Sequence, residues 1–445
     1  MTAPLPPVDG PPTPMRRVAT ASFVGTAIEY YDFYIYGTAA ALVFPHVFFP
    51  NQSPTTATIA SFATFAVAFV SRPLGAAFFG HFGDRIGRKR TLVATLLIMG
   101  LSTVAVGLVP SAESIGVAAP LILLTLRLLQ GFAVGGEWAG SALLAAEYAP
   151  RHQRGMYGMF TQLGVGAGLV LTNVIFLAVN TTIGERSPTF MTWGWRVPFL
   201  FSAVLVAVAL YVRLNIAETP VFAAEKLRNN VSRAPLRQLF GHQSRQVALA
   251  TGVMLAIFGF SFMGGTYLMG YANTELGHPR ELILTVGVIG GTAMMALTAV
   301  TAILCDRFGR RRLVLIGFAL ALPWSFAVLP LLDTGSALWF AVGITGTYAL
   351  LGVSYGPLAS FIPEIFATRY RYSGAGLAFN LGGIIGGAVP PLISGALLAA
   401  FGSWAIGLMM GVLVLASLVS TYLLPETMAA RLDEVGGHGS VTARD

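Results

Sequence analysis

Gly80-His81-Phe82-Gly83-Asp84-Arg85-Ile86-Gly87-Arg88-Lys89-Arg90 follows one long apolar run, and Cys305-Asp306-Arg307-Phe308-Gly309-Arg310-Arg311-Arg312 follows another. Asp84 and Asp306 stand 222 residues apart. Outward from these stretches a second pair of marks agrees: Glu147 and Arg154 are echoed by Glu364 and Arg371, both at an offset of 217. Two sets of marks at nearly one offset describe a unit built twice within 445 residues.

The composition says which solvent that unit meets. The chain is 55% hydrophobic and 10% charged, with mean hydropathy +0.72, whereas a soluble domain carries about 25% charged residues. Twelve apolar runs recur, near 20–45, 57–83, 91–109, 117–147, 155–180, 193–213, 247–274, 282–304, 313–332, 337–362, 372–400 and 402–424. Each is long enough to cross a bilayer as a helix. The net charge of +8 does not point to nucleic acid, because 22 of the 27 Lys and Arg fall in one alternating set of loops and the tails. That bias places both termini in the cytoplasm, facing anionic lipid. The lone Cys305 rules out an internal disulfide.

The expected fold is therefore an all-α integral membrane protein: twelve transmembrane helices in two six-helix bundles, multi-pass. Residues 1–19, with six prolines in the first 14, read as a disordered cytoplasmic tail. The bundles span 20–213 and 247–424, joined by a charged cytoplasmic linker at 214–246 and followed by a tail at 425–445. Gly131/Gly135 and Gly136/Gly140, and likewise Gly382/Gly386 and Gly383/Gly387, have the spacing that lets helices approach closely. Pro390-Pro391 should kink its span.

Charges inside a span are costly and usually functional. The first half buries Glu29, Asp32, Arg72, Arg127 and Glu137; the second buries none at mid-membrane. Glu29, Asp32 and Tyr36 share one helix face, and Arg127, Gln130 and Glu137 share another. Arg72 lies 12 residues before Asp84 and Glu137 lies 10 before Glu147, about 18 and 15 Å along a helix. Their depths match, so an Arg72–Glu137 pair is expected. Neutral polar candidates for holding a substrate are Gln162, Tyr267, Tyr271, Tyr348, Tyr355 and Asn380.

The loop motifs at 80–90 and 305–312 resemble the signature between helices 2 and 3 of the major facilitator superfamily and its copy between helices 8 and 9. Ala217-Glu218-Thr219-Pro220 and Pro425-Glu426-Thr427 resemble the marks closing each half in the sugar-porter-like branch. Gly25-Thr26-Ala27-Ile28-Glu29-Tyr30-Tyr31-Asp32-Phe33-Tyr34-Ile35-Tyr36-Gly37 and Gln130-Gly131-Phe132-Ala133-Val134-Gly135-Gly136-Glu137-Trp138 resemble the metabolite:H⁺ symporter family. The resemblance runs over about residues 20–427.

It implies a monomeric bacterial inner-membrane symporter that takes up a small carboxylate or zwitterion with protons, with no cofactor beyond the proton gradient. It also implies that Asp32 faces Arg127, with Glu29, Glu137 and Arg127 serving proton coupling. A carboxylate beside an arginine stays ionised, and one whose partner leaves takes up a proton. Arg72 and Arg127 would hold a substrate carboxylate, with Tyr36 and Gln130 beside them. Asp84, Arg85, Arg88, Glu147 and Arg154, repeated as Asp306, Arg307, Arg310, Glu364 and Arg371, are implied to be gating networks. Two alternatives are a drug/H⁺ antiporter of the same superfamily and a proline/betaine osmolyte symporter. No paired-His metal spacing, nucleophile elbow or phosphate loop suggests an enzyme.

Overall fold

The computed structural model describes residues 15–86, 88–138, 140–142, 149–184, 187–214, 235–367 and 371–428, with side chains at 80–89, 151 and 235–238 left out. Among the described residues there is no strand. The long helices are α1 (Met15–Leu42), α2 (Pro54–Ile86), α3 (Arg88–Leu108), α4 (Ala118–Val134), α5 (Arg154–Ile183) and α6 (Arg196–Leu214). They continue with α7 (Pro235–Phe262, carried through a π turn at Met263–Tyr267 to Thr274), α8 (Arg280–Phe308), α9 (Arg310–Asp333) and α10 (Ala337–Tyr355). The last are α11 (Arg371–Gly382, continued past a π turn at Gly383–Ala388 to Phe401) and α12 (Ser403–Leu423).

Among the described residues, ten helices are long and apolar enough to cross a membrane. Two more apolar runs read from the sequence fall on α1 and α4. The first carries Glu29 and Asp32 among four tyrosines, and the second has 17 helical residues before a turn at Gly135-Gly136. The outward faces are apolar, with Leu74, Leu101, Leu121, Leu338 and Val412 well exposed, as in a protein whose solvent is lipid.

Packing repeats across the chain. In the first half α1 packs on α5, α2 on α4, α3 on α6 and α3 on α4. In the second half the same contacts recur six helices later: α7 on α11, α8 on α10, α9 on α12 and α9 on α10. The halves meet along α5–α8, α2–α11 and α1–α7.

The predicted small-residue faces are real contacts. A Cβ at Gly131 would overlap the carbonyl oxygen of Ala68, and one at Gly135 that of Arg72. The backbones of α2 and α4 thus touch, as small residues permit where lipid supplies no hydrophobic drive. Gly135→Val is expected to push α4 off α2, costing about 1–3 kcal/mol or more. A lowered unfolding midpoint in detergent checks it; an unchanged midpoint would contradict the contact. Pro390-Pro391, the place of the expected kink, closely follow a π turn at Gly383–Ala388, where an extra residue per turn frees backbone groups.

Candidate functional site

Six charged side chains from α1, α2, α4, α6 and the short segment after α4 are buried together: Glu29, Asp32, Arg72, Arg127, Glu137 and Arg213, none more than 7% exposed. Their pairing departs from the sequence reading twice. Asp32 does not meet Arg127 directly among the described residues. Its carboxylate accepts from Thr103 Oγ1 at 2.7 Å and Ser202 Oγ at 3.0 Å. Gln130 Nε2 donates to the same Thr103 oxygen at 2.7 Å, and Arg127 Nη1 donates to Gln130 Oε1 at 2.8 Å. The expected pair is thus a relay, Asp32–Thr103–Gln130–Arg127. Arg127 also lies 3.9 Å from the centre of the Tyr36 ring, a cation–π contact, while Tyr36 itself donates to Thr64.

The second correction concerns Glu137. It is ion-paired with Arg213 of α6 and not with Arg72. Arg213 also donates to the Leu92 carbonyl at 2.7 Å. The depth argument matched Arg72 and Glu137 along the membrane normal, but depth carries no lateral information. Arg213, counted from sequence among the loop charges, reaches inward instead. The signal for it was Gly25: any Cβ there would lie 2.7 Å from the Arg213 guanidinium.

Arg72 is left with no hydrogen-bond partner for any of its three nitrogens among the described residues. It stands over Phe33 at 4.2 Å and Phe69 at 4.5 Å. Glu29 Oε1 is equally bare. Around them runs an aromatic wall, in which Phe69 and Phe262 are 5.1 Å apart, Phe258 and Phe379 4.7 Å, and Phe379 stacks on Trp138 at 3.9 Å. Tyr34 bonds Ser261 of α7 at 2.6 Å. The Tyr348 hydroxyl and Gln162 Oε1 are buried without hydrogen-bond partners among the described residues, while the Tyr355 hydroxyl lies beside Tyr30 and Trp138. A cavity of about 10 Å³ lined by Tyr30, Val165, Ser261 and Tyr355 remains between the halves, room for about one water. The arrangement is a closed site in which Arg72, whose nitrogens have no hydrogen-bond partner among the described residues, shares a buried cluster with Glu29, one of whose oxygens is also unpartnered.

Other expected site residues separate. Gln162 and Asn380 bridge the halves through backbone oxygens of Tyr355 and Gly135. Tyr267 packs on Phe62, ring centres 6.3 Å apart. Tyr271 does not belong to the centre: it bonds Asp333 at 2.6 Å, at the end of α9. The Gly135-Gly136 turn, read from sequence as part of a close-packing face, also offers its carbonyls to Asn380 and, at 2.7 Å, to Tyr372 of α11.

At the end carrying residues 305–312, Asp306 of α8 accepts from the amides of Gly155 and Met156 at 2.9 and 3.0 Å. It therefore caps the start of α5 from the other half, where a helix terminus favours an anion. Glu364 meets Arg310 at 2.9 Å and Arg154 at 3.8 Å, and Arg371 donates to Pro363. Arg307 stands apart: it is exposed and lies over Phe308. Asp84, Arg85, Arg88 and Glu147, the first copy of this cluster, lie outside the described side chains.

Burial pushes the Glu364 carboxyl up to about 6, against the downward pull of Arg310, Thr427, Arg154 and Arg371. A value above the ordinary 4.5 means that the folded protein takes this proton earlier than an unfolded chain would. Glu364 thus adds folded stability as pH falls through about 6, while the ion pairs lose their anion. Hydrogen exchange through openings that bring Glu364 into water, read at the start of α5 and corrected for intrinsic rates, is expected to slow between about pH 7 and pH 5. In Glu364→Gln that pH dependence should vanish; its persistence would remove Glu364 from the cluster's control.

A doubled helical body with lipid-facing apolar sides and a charged, closed centre defines a membrane transporter. The chain belongs to the major facilitator superfamily, whose family model matches residues 22–390. It is similar to the inner membrane metabolite transport protein YhjE of Escherichia coli K12, at 43% identity over 93% of this chain and 94% of that one. It is also similar to the shikimate transporter of the same organism, at 40% identity over 93% and 95%. Among solved structures it matches a D-xylose–proton symporter with TM-score 0.72 at 20% identity, over 93% and 99% of the two chains. The protein is a multi-pass transporter of a bacterial inner membrane and not an enzyme.

Proposed function

We propose that this chain is a proton-coupled symporter that imports a small carboxylate or zwitterion by alternating access. The observation that carries the reading is the bare guanidinium of Arg72, buried between Phe33 and Phe69 with an unpartnered oxygen of Glu29 in the same buried cluster. A buried cation with no acceptor is costly, and a substrate carboxylate supplies that acceptor bidentately. The reading takes α1–α12 as twelve spans in two bundles, 20–213 and 247–424, with both termini and the linker 214–246 in the cytoplasm. Site residues are Arg72, with Glu29 and the Asp32–Arg127 relay carrying the proton. Asp306, Arg310, Glu364, Arg154 and Arg371 act as the cytoplasmic latch. The kinship with metabolite transporters supports this reading, and a buried arginine with no hydrogen-bond acceptor among the described residues disfavours export of cationic drugs.

The test is proton movement in proteoliposomes. A pH dye inside should report acidification when an acid or zwitterion from a panel is added outside. Protons driven the other way by a drug cation would replace this reading by the antiporter. Asp32→Asn is expected to abolish uphill accumulation while downhill exchange persists; full accumulation would take Asp32 out of the coupling path.

A further inference from the structure

We infer that the segment Gly135–Trp138 is an inner gate of the transport path, fastened to the second half by Tyr372, Phe379 and Asn380 and positioned by the buried pair Glu137–Arg213. This rests on the alternating access of the reading above and on no choice of substrate. The first ground is that four consecutive residues are all held, and by both halves. The helix yields to a turn at Gly135-Gly136, and carbonyls at a helix end are open to outside donors. Tyr372 of α11 donates to the Gly136 carbonyl at 2.7 Å, and Asn380 to the Gly135 carbonyl at 3.2 Å. The Trp138 ring stacks on Phe379 at 3.9 Å, tilted by 8°, and lies beside the Tyr355 hydroxyl of α10. Between these grips Glu137 stays with its own half, paired with Arg213 of α6.

The second ground is location. Tyr372 follows Arg371, which belongs to the cluster at the end carrying residues 305–312. Phe379 lies seven residues further along α11, about 10 Å deeper. From Phe379 a row of rings runs on to the charged centre. Phe258 is 4.7 Å away, Phe262 a further 6.1 Å and Phe69 a further 5.1 Å, with Arg72 4.5 Å from the Phe69 ring. The row starts in the first half at Trp138, crosses to the second and returns at Phe69. The segment therefore stands between the end cluster and the site, in packed contact toward both.

The third ground is the pair itself. A buried ion pair gains little over apolar residues of the same volume, so a positional role accounts for Glu137 and Arg213 better than stability does. Four residues at a helix break are too few to hold their own orientation. The pair fixes that orientation and so presents two carbonyls and one indole to the second half. When the halves part at this end, both hydrogen bonds and the ring stack are given up together.

The chain carries its own reporter. Cys305 of α8 is its sole cysteine, fully buried where a Cβ at Gly155 of α5 would overlap the sulfur. It meets a maleimide only when α5 and α8, one from each half, part at this end. A second reporter, Asn173→Cys with Cys305→Ser, sits at the other end of the same helix pair, where a Cβ at Gly287 would overlap Asn173. In the full-length protein in vesicles, Tyr372→Phe and Phe379→Ala are each expected to speed Cys305 labelling about five- to tenfold, the loss of one hydrogen bond or one ring contact. The Asn173→Cys reporter should be unchanged or slower. Glu137→Ala with Arg213→Ala should speed Cys305 labelling as much, even where its thermal midpoint recovers, a split that a merely structural pair would not give. Unchanged Cys305 labelling in Tyr372→Phe and Phe379→Ala overturns the gate, as does equal acceleration of both reporters, which marks loosened packing. Wild-type labelling in the double variant overturns the positioning role of the pair. Proton uptake by the wild-type protein is a separate readout, so the symporter reading stands or falls apart from these results.

Discussion

Arg72→Ala loses carboxylate binding by roughly a hundredfold or more, about 3 kcal/mol, the cost of removing one partner from a buried charged contact. The same substitution leaves the unliganded protein as stable as before, or more so. Its three nitrogens have no hydrogen-bond partner among the described residues, so alanine removes a desolvated cation without orphaning an acceptor. The contacts with Phe33 and Phe69 are given up, worth about 1–2 kcal/mol, together with the attraction to Glu29. Arg127→Ala behaves oppositely, because it strands the Gln130 oxygen of the relay and lowers stability. Calorimetric titration beside thermal unfolding in detergent separates the two. Unchanged affinity in Arg72→Ala would remove Arg72 from the site.

The largest stability effect belongs to Glu137 and Arg213. Truncating either to alanine leaves the other charged and buried, at a cost of about 3–5 kcal/mol. The double variant Glu137→Ala with Arg213→Ala recovers most of that loss, since neither charge remains. Additive losses would mean that the pair does not hold α6 to the segment after α4. Combining Arg72→Ala with Glu137→Ala gives no such recovery, which separates this pairing from the one that matched depths suggest. Thermal midpoints of the single and double variants decide it.

The repeat, the apolar spans and the buried charges were legible because each is a one-dimensional property. Hydropathy, offset and depth along a helix are all functions of position in the chain. The doubled motifs at 80–90 and 305–312 led to a fold whose helix contacts recur six helices later. The glycine pairs of span 4 led to a true backbone contact with α2. Glu29, Asp32, Arg72, Arg127 and Glu137 were all found buried, because an intramembrane charge stands out against an apolar run.

What the sequence could not determine was partnership. Residues at one depth lie on helices at different azimuths, and only the packing of α3 and α6 against α1 and α4 decides which side chains touch. That packing places Thr103 and Ser202 on Asp32, two hydroxyls with no distinguishing mark in an apolar run. It turns Arg213 inward to Glu137, although its position at a helix end reads as an ordinary loop charge. It carries Tyr271 away to Asp333. The sequence by itself determined the class, the duplication and the cast of buried charges, since these follow from which residues can enter lipid at all. Only the tertiary structure decided that none of the Arg72 nitrogens meets a hydrogen-bond partner among the described residues, because that depends on lateral distances between helices far apart in the chain.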